Sequence, residues 1–280
     1  MRLAMPATVP FLLLLSAAAT AADCKLSAQR DFEVDAAALD TVALHLGASD
    51  AWVEGVPGLA KVEVRARACA SRQGWLDALG VEHAVEGGRL SVTPRTPTST
   101  VNINLFGASY AWIELRIRVP ARLALAVETG AGDVDVRGVA SLDFDSGSGD
   151  LRVNDIAGPL VLALGSADVA GVGVGALELR RTGSGDVSLR EVRGDAQLRS
   201  VGSGDIRLDN VAGSVTAGDV GSGDLTFERV GGDVKVGSIG SGDLSVRDVG
   251  GGLRVRAQGS GDIDHHDVRG PVELPPAHDD

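Results

Sequence analysis

The residues whose spacing could do chemistry are aspartates set at a nearly fixed interval. The tetrapeptide Gly-Ser-Gly-Asp ends at Asp150, Asp186, Asp205, Asp224, Asp243 and Asp262, with degenerate copies ending at Asp133 and Asp168. The steps between successive aspartates are 17, 18, 18, 19, 19, 19 and 19 residues. One carboxylate per repeat can cap backbone amides of its own turn, bridge calcium ions, or present a regular acidic surface to a ligand. If the repeats stack, the carboxylates stand about 4.8 Å apart. Two unit charges at that distance repel by about 1 kcal/mol in water, and several-fold more at an effective dielectric near 20. Such a row must therefore be solvated, hydrogen-bonded or bridged. An Asx-type cap with the serine helping satisfies it most simply. A calcium ladder is the alternative, but here serine occupies a position where a second carboxylate would serve better.

The elements that must position this row follow from the rest of the repeat. Counting each aspartate as zero, apolar residues fall at offsets one, three, six, ten, twelve and fifteen: Val187, Leu189, Val192, Ala196, Leu198 and Val201 after Asp186, and Leu225, Phe227, Val230, Val234, Val236 and Ile239 after Asp224. Offsets one-three and ten-twelve alternate with period two, so each repeat carries two short strands with one buried face. Gly194, Gly213, Gly232 and Gly251 lie between the strands, where positive φ would let the chain turn. Strands this short bury a core only when repeats stack. The expected fold is all-β, a right-handed parallel β-helix (β-solenoid) of about 17–19 residues per coil. The 3% aromatic content suits a narrow interior. A β-sandwich also uses short strands, but its strands need not repeat in sequence, and these do.

The first residues, 1–22, read as an export signal: Arg2, a short apolar run from Val9 to Leu15, then small residues that offer cleavage after Ala21 or Ala22. The run is too short to span a bilayer. Asp23 stands before Cys24 where a lipid-attachment motif wants a small residue. Localisation is thus expected to be periplasmic or secreted, without direct membrane insertion. In an exported chain, Cys24 and Cys69 read as one disulfide. The formal net charge is −12, and −13 once Arg2 leaves with the signal, which argues against nucleic acid and anionic lipid as partners.

Residues 23–280 read as a single β-solenoid domain, with irregular coils over 23–120, regular Gly-Ser-Gly-Asp coils over 121–274 and a tail over 275–280. Gly47-Ala-Ser-Asp50 echoes the later motif. Ser71 to Leu79 reads as a short helix with Ser71 as N-cap and Trp75, Leu76 and Leu79 inward, covering an open end. Thr93 to Thr100 reads as a loop, with Pro94 and Pro97 breaking any strand. At the far end His265 takes an inward offset, and Pro271, Pro275 and Pro276 suggest a cap. His265, His266 and His278 lie near Asp262, Asp264, Asp267, Asp279 and Asp280, but their spacing matches no zinc motif and reads as a solvated terminus.

The element Ile113-Glu-Leu-Arg-Ile-Arg-Val-Pro-Ala121, running into Gly130-Ala-Gly-Asp-Val134 and then the Gly-Ser-Gly-Asp coils, resembles the bacterial putative-adhesin family of β-strand-repeat proteins, related to the head domain of auto-transporter adhesins. The resemblance covers about residues 30–275 and implies a right-handed parallel β-helix. It transfers no catalytic residue. The functional expectation is an exported non-enzymatic scaffold, an adhesin-like binding protein of the envelope, with an unknown protein or glycan as partner and no cofactor. The rivals are a calcium-binding repeat module and a carbohydrate-active β-helix enzyme. Such enzymes carry paired acidic or basic groups on long loops, and no large insertion interrupts the ladder between Asp133 and Asp262. The outward offset two holds Arg152, Ala170, Ser188, Arg207, Thr226, Ser245 and Asp264, too mixed for an ice-binding array.

Overall fold

The computed structural model describes residues 24–96 and 109–276. The expected export signal, Pro97 and the end of the tail with His278, Asp279 and Asp280 lie outside those residues.

Among the described residues, twenty-three strands and one short helix follow in chain order. Strands β1 (Leu26–Gln29), β2 (Phe32–Asp35), β3 (Thr41–Gly47), β4 (Asp50–Val56) and β5 (Lys61–Ala70) precede helix α1 (Gln73–Ala78). Then come β6 (Gly80–Glu86), β7 (Arg89–Arg95), β8 (Ala111–Pro120), β9 (Ala124–Thr129), β10 (Val134–Arg137) and β11 (Ser141–Ser146). The long β12 (Leu151–Leu164) and β13 (Val169–Arg181) each run through a whole coil. The regular coils follow as pairs: β14 (Val187–Val192) with β15 (Ala196–Val201), β16 (Ile206–Val211) with β17 (Val215–Val220), and β18 (Leu225–Val230) with β19 (Val234–Ile239). The last two pairs are β20 (Leu244–Val249) with β21 (Leu253–Gln258), and β22 (Ile263–Val268) with β23 (Val272–Glu273).

The coils form a β-solenoid with two parallel faces. On one, β10, β12, β13, β14, β16, β18, β20 and β22 pair in sequence. On the other, β9, β11, β12, β13, β15, β17, β19, β21 and β23 do the same. In register, Val187 faces Ile206, Ile206 faces Leu225, and Leu225 faces Leu244. The expected inward offsets are inside: Val187, Leu189, Val192, Ala196, Leu198 and Val201 are all buried, as are their counterparts after Asp205 and Asp224. Phe144 and Phe227 are the largest side chains sealed in the interior.

Offsets three and six both point inward although an unbroken strand would send them to opposite faces. The cause is a left-handed residue at offset five. Asp155, Glu191, Asn210, Arg229, Asp248 and Asp267 have φ between 55° and 64°. Each makes a corner that returns the next side chain to the interior. Here the sequence reading needs correction. Gly194, Gly213, Gly232 and Gly251 do not have positive φ. They are needed for closeness instead: a Cβ on Gly213 would overlap the Asp195 carboxylate and press on the backbone of Gly194.

Before Pro120 the arrangement changes. β3 and β4 form a coil, continuing the faces through β9 and β10. Next to it, β8 pairs parallel with β4 and β7 pairs parallel with β3. Antiparallel strands then close the end: β5 on β8, β1 and β2 on β5, and β6 on β7. Since β8 lies beyond β4 while β9 lies on the other side of β3, residues 121–123 step over one coil. Arg122 fixes this crossing by donating to the carbonyls of Leu39 and Ala36.

The helix sits against β5 and β1 with Leu76 and Leu79 buried and Trp75 partly so. Its N-cap is Arg72, with no side-chain capping bond, and not Ser71. The Ser71 hydroxyl is occupied elsewhere, accepting the Tyr110 amide at 3.1 Å. Pro94 does not break its strand either. It lies within β7 opposite Val81, where β3 no longer pairs and its missing N–H costs nothing. Cys24 and Cys69 are bonded, with 5.7 Å between their Cα atoms. The bridge joins the chain before β1 to the antiparallel strand β5, not to a parallel coil.

Candidate functional site

The aspartates stack as expected, but their carboxylates serve the neighbouring coil and not their own turn. The amide of each donates to Oδ1 of the aspartate one coil earlier: Asp150 to Asp133 at 3.0 Å, Asp168 to Asp150 at 3.0 Å, Asp186 to Asp168 at 2.9 Å and Asp205 to Asp186 at 2.8 Å. Asp224, Asp243 and Asp262 continue the row at 3.0, 2.8 and 2.8 Å. It begins earlier than the tetrapeptides, because Asp133 donates to Asp50 at 2.9 Å. In return, the carbonyl of Asp205 accepts the amide of Val187 at 2.9 Å. Each aspartate thus clamps two coils together. The reason lies in the glycine before it. A Cβ on Gly204 would fall inside the carbonyl of Gly185, so the coils approach more closely here than side chains allow. At this spacing the next coil's amide reaches the carboxylate before any amide of the same turn.

A second ladder runs at the opposite turn, at offset nine, and the sequence reading missed it. Asp195 Oδ1 accepts the Ser214 amide at 2.8 Å, Ser214 Oγ accepts the Asp233 amide at 3.1 Å, and Asp233 Oδ1 accepts the Gly252 amide at 3.0 Å. The Gly252 amide, and then the Lys235 ammonium, hold the Asp233 carboxyl below the usual carboxylate range. The signal was a polar residue recurring at a 19-residue step. It was hidden because aspartate alternates there with serine.

The ladders place one such side chain per coil, and no group of three or more histidine, cysteine, aspartate or glutamate side chains among the described residues is placed to hold a metal ion. His265 is half-buried at the inward offset three of the last coil, and His266 Nε2 lies 3.3 Å from Asp264.

The sequence reading also missed a groove on the outer surface of β5, β8, β4 and β10. It encloses about 400 Å³. Two rows of outward side chains cross it. In the first, Arg65 faces Arg116, Arg116 faces Trp52 and Trp52 faces Asp135, and the row continues past the groove to Arg152 of β12. In the second, Glu63, Arg118, Glu54 and Arg137 follow one another. The second row is internally neutralised, with Arg118 on Glu63 at 2.9 Å and Arg137 on Glu54 at 3.0 Å. In the first, Arg116 holds Glu114 at 3.0 Å and lies 5.3 Å from the centre of the Trp52 ring. Trp52 remains 41% exposed. The alternation Trp112-Ile-Glu-Leu-Arg-Ile-Arg-Val119 announced outward arginines. Nothing in it announced that Trp52 would stand beside them.

The profile of the Toastrack DUF4097 family matches residues 61–270. The chain belongs to this family. The matched span of the Toastrack domain takes in β5 of the antiparallel end and all the regular coils down to Gly270. A solved structure of a putative lipid binding protein from Parabacteroides distasonis is similar at 14% identity and a TM-score of 0.54, covering 89% of this chain and 97% of that one. It shares the fold. A putative adhesin from Bacteroides fragilis is 19% identical with a TM-score of 0.39, covering 90% of this chain and 98% of that one. A putative adhesin from Parabacteroides merdae is 11% identical with a TM-score of 0.43, covering 86% and 97%. No curated protein matches the Toastrack chain. No helix among its described residues is long and apolar enough to cross a membrane.

Proposed function

We propose that this Toastrack protein is an exported, non-enzymatic scaffold of the bacterial envelope, an adhesin-like module that binds a protein or glycan through its outer faces. One observation carries the reading. The most regular chemical feature of the chain, the aspartate row, has its Oδ1 atoms engaged by amides of the adjoining coil from Asp50 to Asp243. Those carboxylates hold coils together, and a catalytic role would have to compete with that use. What remains for partners is the rows of outward side chains. The solved relatives described as lipid-binding or adhesin-like proteins agree with a binding role, and the leader-like residues 1–22 agree with export.

The test has three arms. Expression of the full chain in a bacterium, followed by intact mass of the exported fraction, should give a chain beginning near Asp23 with no free thiol. Recovery in the cytosol starting at Met1 would sink the export reading. Calorimetry of that chain with millimolar calcium and with chelator should give the same melting temperature. A rise of many degrees would favour a calcium module, by mass action on the folded state. Turnover of an envelope polysaccharide, lost on changing one ladder aspartate, would favour an enzyme.

A further inference from the structure

We infer that the groove around Trp52 is a binding site for an acidic oligosaccharide, one whose sugar units carry carboxylates. This rests on reading the protein as a binding module and names the ligand class for one site on it.

Three features point the same way. The first is the exposed ring. All three tryptophans lie close to an arginine guanidinium, Arg67 by Trp112, Arg72 by Trp75 and Arg116 by Trp52, and Trp52 lines the groove. An aromatic face held by a strand and flanked by polar groups offers apolar area at small entropic cost, and the C–H face of a pyranose ring can lie on it. The second is charge. The chain as a whole carries −12, yet Arg65 and Arg152, at the two ends of the first row, have no carboxylate within 4 Å among the described residues, and Glu33, which feels Arg65, is held by Lys61. Arginine's planar fork suits a carboxylate. The third is spacing. Arg65 and Arg152 are separated by four inter-strand steps, roughly 19 Å at about 4.8 Å each. An extended oligosaccharide laid across the strands would meet Arg65, Arg116, Trp52, Asp135 and Arg152 in turn.

Asp135 argues for sugar over nucleic acid. Its carboxylate also has no ion-pair partner among the described residues and sits between Trp52 and Arg152. It can accept hydrogen bonds from sugar hydroxyls, donors that the phosphodiester backbone of DNA does not offer.

Calorimetric titration of the mature chain with tetragalacturonate, maltotetraose and oligothymidylate tests this. The acidic tetrasaccharide should bind saturably, about tenfold or more tighter than the neutral one, and more tightly than oligothymidylate. Trp52→Ala should weaken it about tenfold, the scale of an anchor residue. Arg65→Gln should weaken it several-fold. Both positions are on the exposed face, and unchanged circular dichroism confirms folding. No saturable binding, equal binding by Trp52→Ala, or a preference for oligothymidylate would overturn the inference. Co-sedimentation with bacterial envelopes separates this from the broader reading. Wild type and Trp52→Ala sedimenting equally defeats the acidic-sugar site alone, and neither sedimenting defeats the binding module.

Discussion

From Val187 to Gln258 every strand pairs in parallel with the strand 19 residues away, and each coil meets a copy of itself on both sides. Between Leu26 and Pro120 β5 instead pairs antiparallel with three partners, and the chain is tied by a disulfide. The coils are held by one contact repeated, an amide on the carboxylate of the coil before. The N-terminal end is held by contacts used once: Arg122 on two carbonyls, Ser71 on Tyr110, Cys24 on Cys69. A stack can propagate by repetition, but it can only be ended by something different. Antiparallel strands with their own partners cover a sheet edge that would otherwise invite another chain.

The largest test of this comparison lies in the coils. Phe227 is fully buried. Phe227→Asp should abolish cooperative unfolding, because an unpaired charge enters a dry column and each coil depends on its neighbours. A native melting curve would break the account of the interior. Next comes the disulfide, whose ends are 45 residues apart. Its reduction should cost about 3–4 kcal/mol in the chain-entropy model. Hydrogen exchange should locate that loss in β1 and β5 and leave β16 to β21 protected. Equal loss everywhere would show one cooperative unit in place of two regions.

Smaller effects sharpen the picture of the ladder. Asp205→Ala removes the acceptor of the Asp224 amide and should cost about 1 kcal/mol by urea denaturation. Asp205→Asn keeps an acceptor oxygen and should cost less; an equal loss would show that charge, and not the hydrogen bond, matters. Glu191 holds a left-handed conformation with φ 61°. Glu191→Asn should raise stability by about 0.5 kcal/mol or more, since asparagine tolerates that region better. The smallest effect concerns pH. Asp233 has its carboxyl lowered by the Gly252 amide and by Lys235. A lowered folded value means the contribution is present above the ordinary carboxylate range and is lost as pH falls through the folded value. Asp233→Asn should flatten that part of the acid titration curve.

How much of this was legible follows from the same contrast. The period of Asp186, Asp205, Asp224 and Asp243 with the six inward offsets placed the strands and their faces, because a repeat needs only local information. The corner at offset five was not legible: Glu191, Asn210 and Arg229 share a backbone conformation and no side-chain chemistry. The antiparallel end was not legible either, since the pairing of β1 with β5 or β5 with β8 joins segments far apart in the chain with no recurring cue. The Trp52 groove depends on that pairing, because Arg65 and Arg116 come from strands that no sequence pattern sets side by side. The second ladder was visible as a position but not as chemistry, as serine and aspartate perform one task there.

The aspartate row also has a direction. Each member receives an amide from one side and gives its own to the other, so every coil enters with the same plug and leaves with the same socket. At the opposite turn the succession runs out chemically: Gly252 has no side chain to accept, and Pro271, the next at that step, has no amide to give. Between those fixed ends a block such as residues 206–224 could be copied or removed with every amide of the two ladders still meeting an acceptor at the junction, Asp243 on Asp205 and Asp233 on Asp195. The length of the rod is thus a free variable, adjustable in increments of about 4.8 Å, and a protein built this way is a ruler whose graduations are carboxylates.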